Sequence, residues 1–566
     1  MSLTLVSYSM IDGAAINPND YGADPTGVAD STSAINAALL AASSKALALA
    51  SGATYLVSGS LLVLNGVYIE GNGATLKAAV GFSSTAVVGS TSVNAFMLVN
   101  TASPVTINGV RFEGFNGSAI SANALMLHAT NNLQINNCYF SKWGRAGLVN
   151  SAVGVVPASY STGTNVSNCV FDTCGSDTAT SGGVGYVAAS IPGDANTFSD
   201  CVMYDPTNHG FDISAVNANK AIGCSVIFTG AINSIYSSGF YISDNSALTV
   251  SGIGASVIGC SVINESATEI GNGVKVSTKN FGATVDGCKV INFKSSVGAA
   301  INVQDAVNTV ITNSYITMGV ARHAIYVVAA GGSTPPTGVI ISNNTVVGFN
   351  KNTTAAGVGG EELNTGIELL GFAGVISDTI VSSNSVDNFF VGIGLNFGDG
   401  KQHRVIGNKL SECVNGININ DIEGVIISAN AIYADDVGIN INTGTVDVVV
   451  SDNYITSGLV AGSSVKTCIR NVASAFPVGA VITGNCLVGK NTTAILTYAI
   501  SMVNNCFNIL IANNQCTYTG TLGQSIVVLA TDVVVSGNMT AGIALSTAGS
   551  TNVGNVAGSN LVTANY

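Results

Sequence analysis

Two groups of side chains could do chemistry in a chain where only 9% of residues are charged. The first runs from Trp143, the sole tryptophan, through Tyr186 to Asp205, His209 and Asp212, then to Tyr236, Tyr241 and Asp244. The second comprises Arg322, His323 and Tyr326, then Glu361, Glu362 and Glu368, then Asp399, Lys401, His403 and Arg404. Rings cover the apolar faces of sugars, and carboxylates accept hydroxyl hydrogen bonds or exchange protons. Glycosidic hydrolysis needs two carboxyls roughly 5–5.5 Å apart for retention, or about 6.5–9.5 Å for inversion. The candidate catalytic pairs are Asp205 with Asp212, and Glu368 with Asp399 or Glu362. The candidate substrate contacts are Trp143, His209, Tyr241, Tyr326, His403 and Arg404. The simpler alternative makes Trp143 a packing residue, Asp212 a solvated strand residue and the second group a surface salt-bridge patch.

A repeat must position these side chains. The pattern apolar-x-apolar-x-(Asn/Gly/Asp)-(Cys/Asn)-x-apolar recurs, as in VTINGVRF, LQINNCYF, VIISNNTV and VVVSDNYI. Its marker falls at Cys138, Cys169, Cys201, Cys224, Cys260, Cys288, Ser314, Asn344, Asn384, Asn408, Asn430, Asn453, Asn485, Asn514 and Asn538. The mean step is about 29 residues, the period of a solenoid. Alternating apolar strands broken by Gly/Asn turns make it a β-solenoid. Between markers lies a second signal, Gly-apolar-x-apolar, in GFDIS, GFYIS, TGIELL, VGIGLN and NGININ. Its x residue should face outward, giving a column Asp212, Tyr241, Lys275, Asn302, Tyr326, Glu368, Gly394, Asn418 and Asn440. Asp212 and Glu368 are then five coils apart, about 24 Å, and cannot be one acid/base pair within a chain. The repeated turn Asn predicts a side-chain amide ladder, with Asn supplying left-handed turn geometry. The six marker cysteines predict a reduced ladder of small apolar residues rather than disulfides or zinc ligands.

Composition narrows the class. The 566 residues are 47% apolar and rich in Gly, which suits stacked coils and excludes disorder. A net charge of −13 argues against a nucleic-acid partner. No apolar run reaches membrane-spanning length and no basic-then-apolar leader opens the chain, so neither membrane insertion nor a secretory signal is expected. No Walker loop, zincin motif or nucleophile elbow occurs, and no metal or cofactor is expected. Asp435-Asp436 reads as a solvated turn, with calcium binding as the alternative, and Glu265 with Glu269, and Asp421-x-Glu423, as turn carboxylates with no obvious partner.

The N-terminal stretch NDYGADPTGVADSTSAINAALLAA combines turn chemistry at Asp24-Pro25-Thr26-Gly27 with a helix capped by Asp30 or Ser31. Ile35, Leu39 and Leu40 recur at helical spacing, and the Ala-rich run to Ala50 reads as helix. Such a helix would cover the open end of the solenoid. Tyr21-Gly22-Ala23-Asp24, Gly27, Asp30, Ser31, Ala34-Ile35 and Ala37-Ala38 resemble the opening of the pectate-lyase-like superfamily. The continuation YLVSGSLLVLNGVYIEGNGATLKA resembles the first coils of bacteriophage tailspikes and related polysaccharide-degrading enzymes.

The resemblance implies an all-β fold, a right-handed parallel β-helix with a short N-terminal capping α-helix. Residues 1–19 would be a lead-in or attachment segment, 20–77 the cap and first coils, 78–546 the β-helix and 547–566 a short tail. It further implies a tailspike depolymerase on the phage virion, acting at the host surface on a capsule or O-antigen polysaccharide. A homotrimer, attached to tail or baseplate proteins through the N-terminus, goes with that reading. The short lead-in and polar Gly-rich tail depart from tailspikes that carry separate head-binding and trimerisation domains. Two alternatives stay open. One is a polysaccharide lyase using Arg322, His323, Tyr326, His403 or Arg404. The other is a non-catalytic glycan-binding adhesin or structural solenoid.

Overall fold

The computed structural model describes residues 14–552, apart from 115–121, 151–160, 176–188, 191–194, 208, 214–217, 231–236, 243–251, 279, 332–334, 353–363, 372–373, 443, 460–465, 472–477, 491–496, 503–506, 520–522, 529–530, 541–542 and 546–550. Tyr186, Tyr236, Asp244, Glu361 and Glu362, and the whole 547–566 tail except 551–552, thus lie outside the described residues. So do residues 1–13 of the lead-in and the side chain of Asp399. The chain divides into two compact units, Met1–Thr284 and Val285–Tyr566.

The opening motif turns out to be structural. Asp24 accepts hydrogen bonds from the N–H groups of Thr26, Val28 and Ala29 at 2.9, 3.0 and 2.7 Å, and from the Thr26 hydroxyl at 2.6 Å. The bond from Ala29 leads the contributions that hold its carboxyl far below the usual range. Asp30 accepts from the Thr32 hydroxyl at 2.6 Å and the Ser58 hydroxyl at 2.8 Å, joining the helix start to the next strand. Helix α1, Thr32–Ala41, follows with Ser31 at its N-cap, buries Ile35, Ala38 and Leu39, and leaves Leu40 exposed. Asn36 ties it to the first coil, donating to Ser60 O at 3.0 Å and accepting from Leu62 N–H at 2.9 Å. The Ala-rich run does not stay helical. Ser44 takes φ +59°, which a helix cannot continue, and Ala46–Ala48 becomes a strand.

Each unit is a three-faced parallel β-helix. One face is built from strands entering the marker turn, the second from strands leaving it, and the third from the Gly-apolar-x-apolar strands. In the first unit, Val105–Asn108, Gln134–Asn136, Asn165–Ser167, Thr197–Ser199, Lys220–Ile222 and Ser256–Ile258 pair in parallel register on the first face. Cys138, Cys169, Cys201, Cys224 and Cys260 are buried free thiols at the adjoining turn, as the repeat predicts. Phenylalanines stack coil on coil inside this unit, with Phe112–Phe140 at 5.0 Å and Phe140–Phe171 at 4.8 Å, both nearly parallel.

In the second unit the marker becomes an asparagine ladder. Asn344, Asn384, Asn408, Asn430, Asn453, Asn485 and Asn514 each donate Nδ2 to Oδ1 of the next asparagine at 2.8–3.0 Å, ending on Asn538. The same Oδ1 also accepts the backbone N–H of the previous asparagine, for example Asn408 N–H to Asn430 Oδ1 at 2.9 Å. The left-handed residue, however, is the one before the ladder asparagine: Asn343, Ser383, Gly407, Ala429, Asp452, Gly484, Asn513 and Gly537 have φ between +56° and +68°. The ladder Asn is selected for its amide, not for its backbone.

The glycines of the third-face motif have a steric cause. A Cβ on Gly366 would lie 2.7 Å from Gly392 O, and one on Gly392 would lie 2.7 Å from Gly416 O. Successive coils approach so closely at this corner that a side chain does not fit. On the first face of this unit, one outward column is apolar: Val310, Ile340, Ile380, then Arg404, then Ile426, Val449, Val481, Leu510 and Val534. Ile426, Leu510 and Val534 are exposed.

Candidate functional site: a groove on the third face around Glu368

The outward column of the second unit follows the sequence reading. Asn302 pairs with Tyr326, Tyr326 with Glu368, Glu368 with Gly394, Gly394 with Asn418, and Asn418 with Asn440. The column then continues to Arg470. A groove of about 420 Å³ runs along it, lined by Glu368, Asn396, Asn415, Asn418, Asn440 and Arg470 among others. Among the described lining residues, Glu368 is the one carboxylate and Arg470 the one cation.

Glu368 sits mid-strand in Thr365–Leu370 and is only 5% exposed. Its carboxylate occupies space that a side chain on the next coil would fill, because a Cβ on Gly394 would collide with Glu368 Oε2. Gly394 therefore fixes where the acid points. Past the groove, the register steps from Asn396 opposite Asn420 to Gly400 opposite Ile422. Residues 397–399 thus form a bulge against Asp421, and Asp399 belongs to that bulge. Bulges commonly re-aim chain next to binding sites. Asparagines dominate the rest of the lining and offer both donors and acceptors to hydroxyl-rich ligands. No group of three His, Cys, Asp or Glu among the described residues is placed to hold a metal ion.

Arg470 was not foreseen. Its strand reads KTCIRN, with Cys468 where the motif has glycine, so the pattern breaks in sequence while the register continues. The amides Asn396, Asn415 and Asn442 were likewise missed, because column counting followed one outward position per strand.

Several expected contacts are corrected. His403 is 1% exposed, its Nδ1 lies 2.7 Å from the Thr379 hydroxyl, and burial lowers its pKa to about 4. It points inward because alternation along Val391–Ile406 places it, like Val405, on the core side. Arg404 is exposed but lies on the first face, in register with Ile380 and Ile426. Arg322 is buried and donates to Gly298 O at 3.0 Å and Val297 O at 3.1 Å, closing a turn. His323, fully buried, stacks on Tyr326 at 4.7 Å and 9°. Tyr326 is in register beside Glu368 on the preceding coil, next to the groove lining rather than within it.

In the first unit the structure joins part of the expected group. His209 stacks on Tyr241 at 4.3 Å, Lys275 lies 5.7 Å from the Tyr241 ring centre, and Asp212 pairs with Tyr241 across adjacent coils. Burial, and secondarily Lys275, push the His209 pKa down to about 3, so its ring is neutral. Two calls fail. Trp143 is wholly buried, 5.0 Å from Phe96, and donates its indole N–H to Phe112 O at 3.1 Å. A large ring in a solenoid gains more by filling the core than by facing water. Asp205 is occupied by the following coil, accepting from Thr229 N–H and hydroxyl, both at 2.6 Å, and from Gly230 N–H at 3.1 Å. It pins a corner of the following coil.

Residues 15–262 match the family described as rhamnogalacturonase A/epimerase, pectate lyase-like. No curated protein sequence matches the chain. Among solved structures, the Dettilon tailspike protein is 15% identical with TM-score 0.42, over 58% of this chain and 62% of that one. A double mutant of the tailspike of E. coli bacteriophage HK620 is 13% identical with TM-score 0.42, over 87% and 78%. The pre-mature form of bacteriophage phi29 gene product 12 is 11% identical with TM-score 0.47, over 95% and 73%. The chain spans less than two thirds of the Dettilon protein's length. The chain thus folds as a parallel β-helix, and its residues 15–262 are similar to the pectate-lyase-like family.

Proposed function

We propose that the groove around Glu368 binds a bacterial surface polysaccharide, capsule or O-antigen, and hydrolyses it as part of a phage tailspike. The observation that carries this reading is a nearly buried carboxylate set over a glycine in an otherwise amide-lined groove. Glu368 serves as one carboxyl of the pair, and Asp399 or Glu362 supplies the other. Such a pair protonates the leaving oxygen with one member and attacks, or activates water, with the other. Tyr326 offers a ring to the sugar beside the groove. In the first unit, Asp212, His209 and Tyr241 form a glycan contact rather than a second catalytic pair. The pectate-lyase-like match, to a family named for rhamnogalacturonase, supports carbohydrate as the substrate class. The names of the tailspikes it resembles agree with a virion-tail location, and attachment through the N-terminus belongs to the same proposal. The apolar first-face column supports side-by-side homotrimer packing, since contiguous exposed apolar surface marks an interface.

A second reading, glycan binding without cleavage, is favoured by Glu368 being the sole carboxylate among the described lining residues. One experiment separates the readings. Purified protein is incubated with capsule and O-antigen polysaccharides while product size and ultraviolet absorbance are followed. Shortened chains without new absorbance, slowed roughly 10²–10⁴-fold by Glu368→Gln, are expected. Shortening with new absorbance would mean β-elimination. Binding without shortening would leave the adhesin.

A further inference from the structure

We infer that Arg470 makes one end of the groove a subsite for a carboxylate-bearing sugar, so that the glycan taken by this chain is acidic. The inference rests on the groove being a glycan site and adds the charge class of its ligand. Arg470 stands four coils along the column from Glu368, through Gly394, Asn418 and Asn440. At one strand spacing per coil that is about 19 Å. The guanidinium and the carboxylate therefore mark opposite ends of one trough.

The surroundings of Arg470 are those of a cation awaiting an anion. Its Nε donates to Asn440 Oδ1 at 3.1 Å. No carboxylate pairs with it among the described residues, and its neighbours in the groove wall are the amides Asn440 and Asn442. Burial lowers its pKa, yet a guanidinium stays charged at any working pH. A half-buried charge that has lost hydration without gaining an anionic partner is unfavourable.

The chain does not lack acids to spend here. It carries 31 Asp and Glu against 18 Lys and Arg. Lys466, on the same strand, is paired with Asp436. One cation of the strand is neutralised by the protein, and the one in the groove is left to the ligand. Arg470 offers its remaining N–H groups as a fork, the geometry that receives a carboxylate through two parallel bonds. Glu368 does not cancel this attraction, because about 19 Å exceeds the screening length of roughly 8–10 Å at physiological salt.

The test uses the full chain on an array of uronate-containing capsular polysaccharides, each printed beside its carboxyl-reduced counterpart. Wild type, Arg470→Gln and Arg470→Lys are compared, with thermal melting to confirm that each variant is folded. The inference expects wild type to prefer the acidic member of a pair, and Arg470→Gln to weaken that binding roughly 10- to 100-fold. Binding to the reduced member should fall far less than binding to the acidic member in Arg470→Gln, and Arg470→Lys should recover part of the preference. Equal binding of acidic and reduced members by wild type, or equal loss on both in Arg470→Gln, would overturn the inference while leaving the groove a glycan site. Binding to no member would overturn both.

Discussion

Asn430→Ala is the sharpest test of what holds the second unit together. Asn430 is 1% exposed. Its amide donates to Val405 O and to Asn453 Oδ1, both at 2.9 Å. Its Oδ1 accepts from Asn408 N–H at 2.9 Å and from Asn408 Nδ2 at 3.0 Å. Truncation leaves the Asn408 backbone N–H and one of the two Asn408 Nδ2 N–H bonds without an acceptor, the other staying on Val381 O at 2.9 Å, whereas Asn453 Oδ1 keeps the backbone N–H of residue 430 at 3.0 Å. At about 1–3 kcal/mol for each orphaned group, the loss is about 2–6 kcal/mol. Cys169→Ala gives the scale for a marker without an amide. Its thiol approaches Ser167 O at 3.3 Å, Ile135 O at 3.6 Å and the thiols of Cys138 and Cys201, all weak sulfur contacts, so the loss is roughly 1 kcal/mol of apolar burial. Solenoids open locally, so urea titration should be joined to hydrogen exchange at the Asn408 amide. An Asn430→Ala loss no larger than that of Cys169→Ala, with Asn408 still protected, would refute the claim that the ladder is a satisfied polar network on which the coils depend.

Two further outcomes are expected. Gly394→Ala places a Cβ 2.7 Å from the Glu368 carboxyl carbon and drives the acid aside. Polysaccharide cleavage should then fall about 10²-fold with melting little changed, and an unaltered rate would show that the pose of Glu368 does not matter. His323 is buried, and burial, followed by Arg322, lowers its pKa to about 3. The unfolded chain therefore binds the extra proton below about pH 6.5, and stability falls by about 1.4 kcal/mol per pH unit as the pH drops from there toward 3. His323→Phe, which keeps a ring against Tyr326, should reduce the slope of denaturation curves recorded across this range by that amount, leaving the shares of His209 and His403. An unchanged slope would place the acid sensitivity elsewhere.

The repeat carried most of the fold. Period and alternation are one-dimensional signals, and a β-helix is stacked from them, so the marker positions and the outward column through Glu368 could be read from residue order. The thiol and amide ladders were legible for the same reason: the same residue type at the same step must meet itself on the next coil. Depth was not legible. Trp143 and His403 have the residue types of a glycan site, yet the core takes them, because inward or outward facing turns on the parity of one corner. Asp205 was legible as a carboxylate near Asp212, but only the neighbouring coil shows that Thr229 and Gly230 occupy it. Arg470 is the converse case. Its strand lacks the motif glycine, and three-dimensional register alone brings it into the groove that begins at Glu368. Sequence thus determined which residues share a column, since stacking preserves order. Tertiary structure decided which columns reach solvent and which charges find partners, since both depend on contacts between residues 20–40 positions apart.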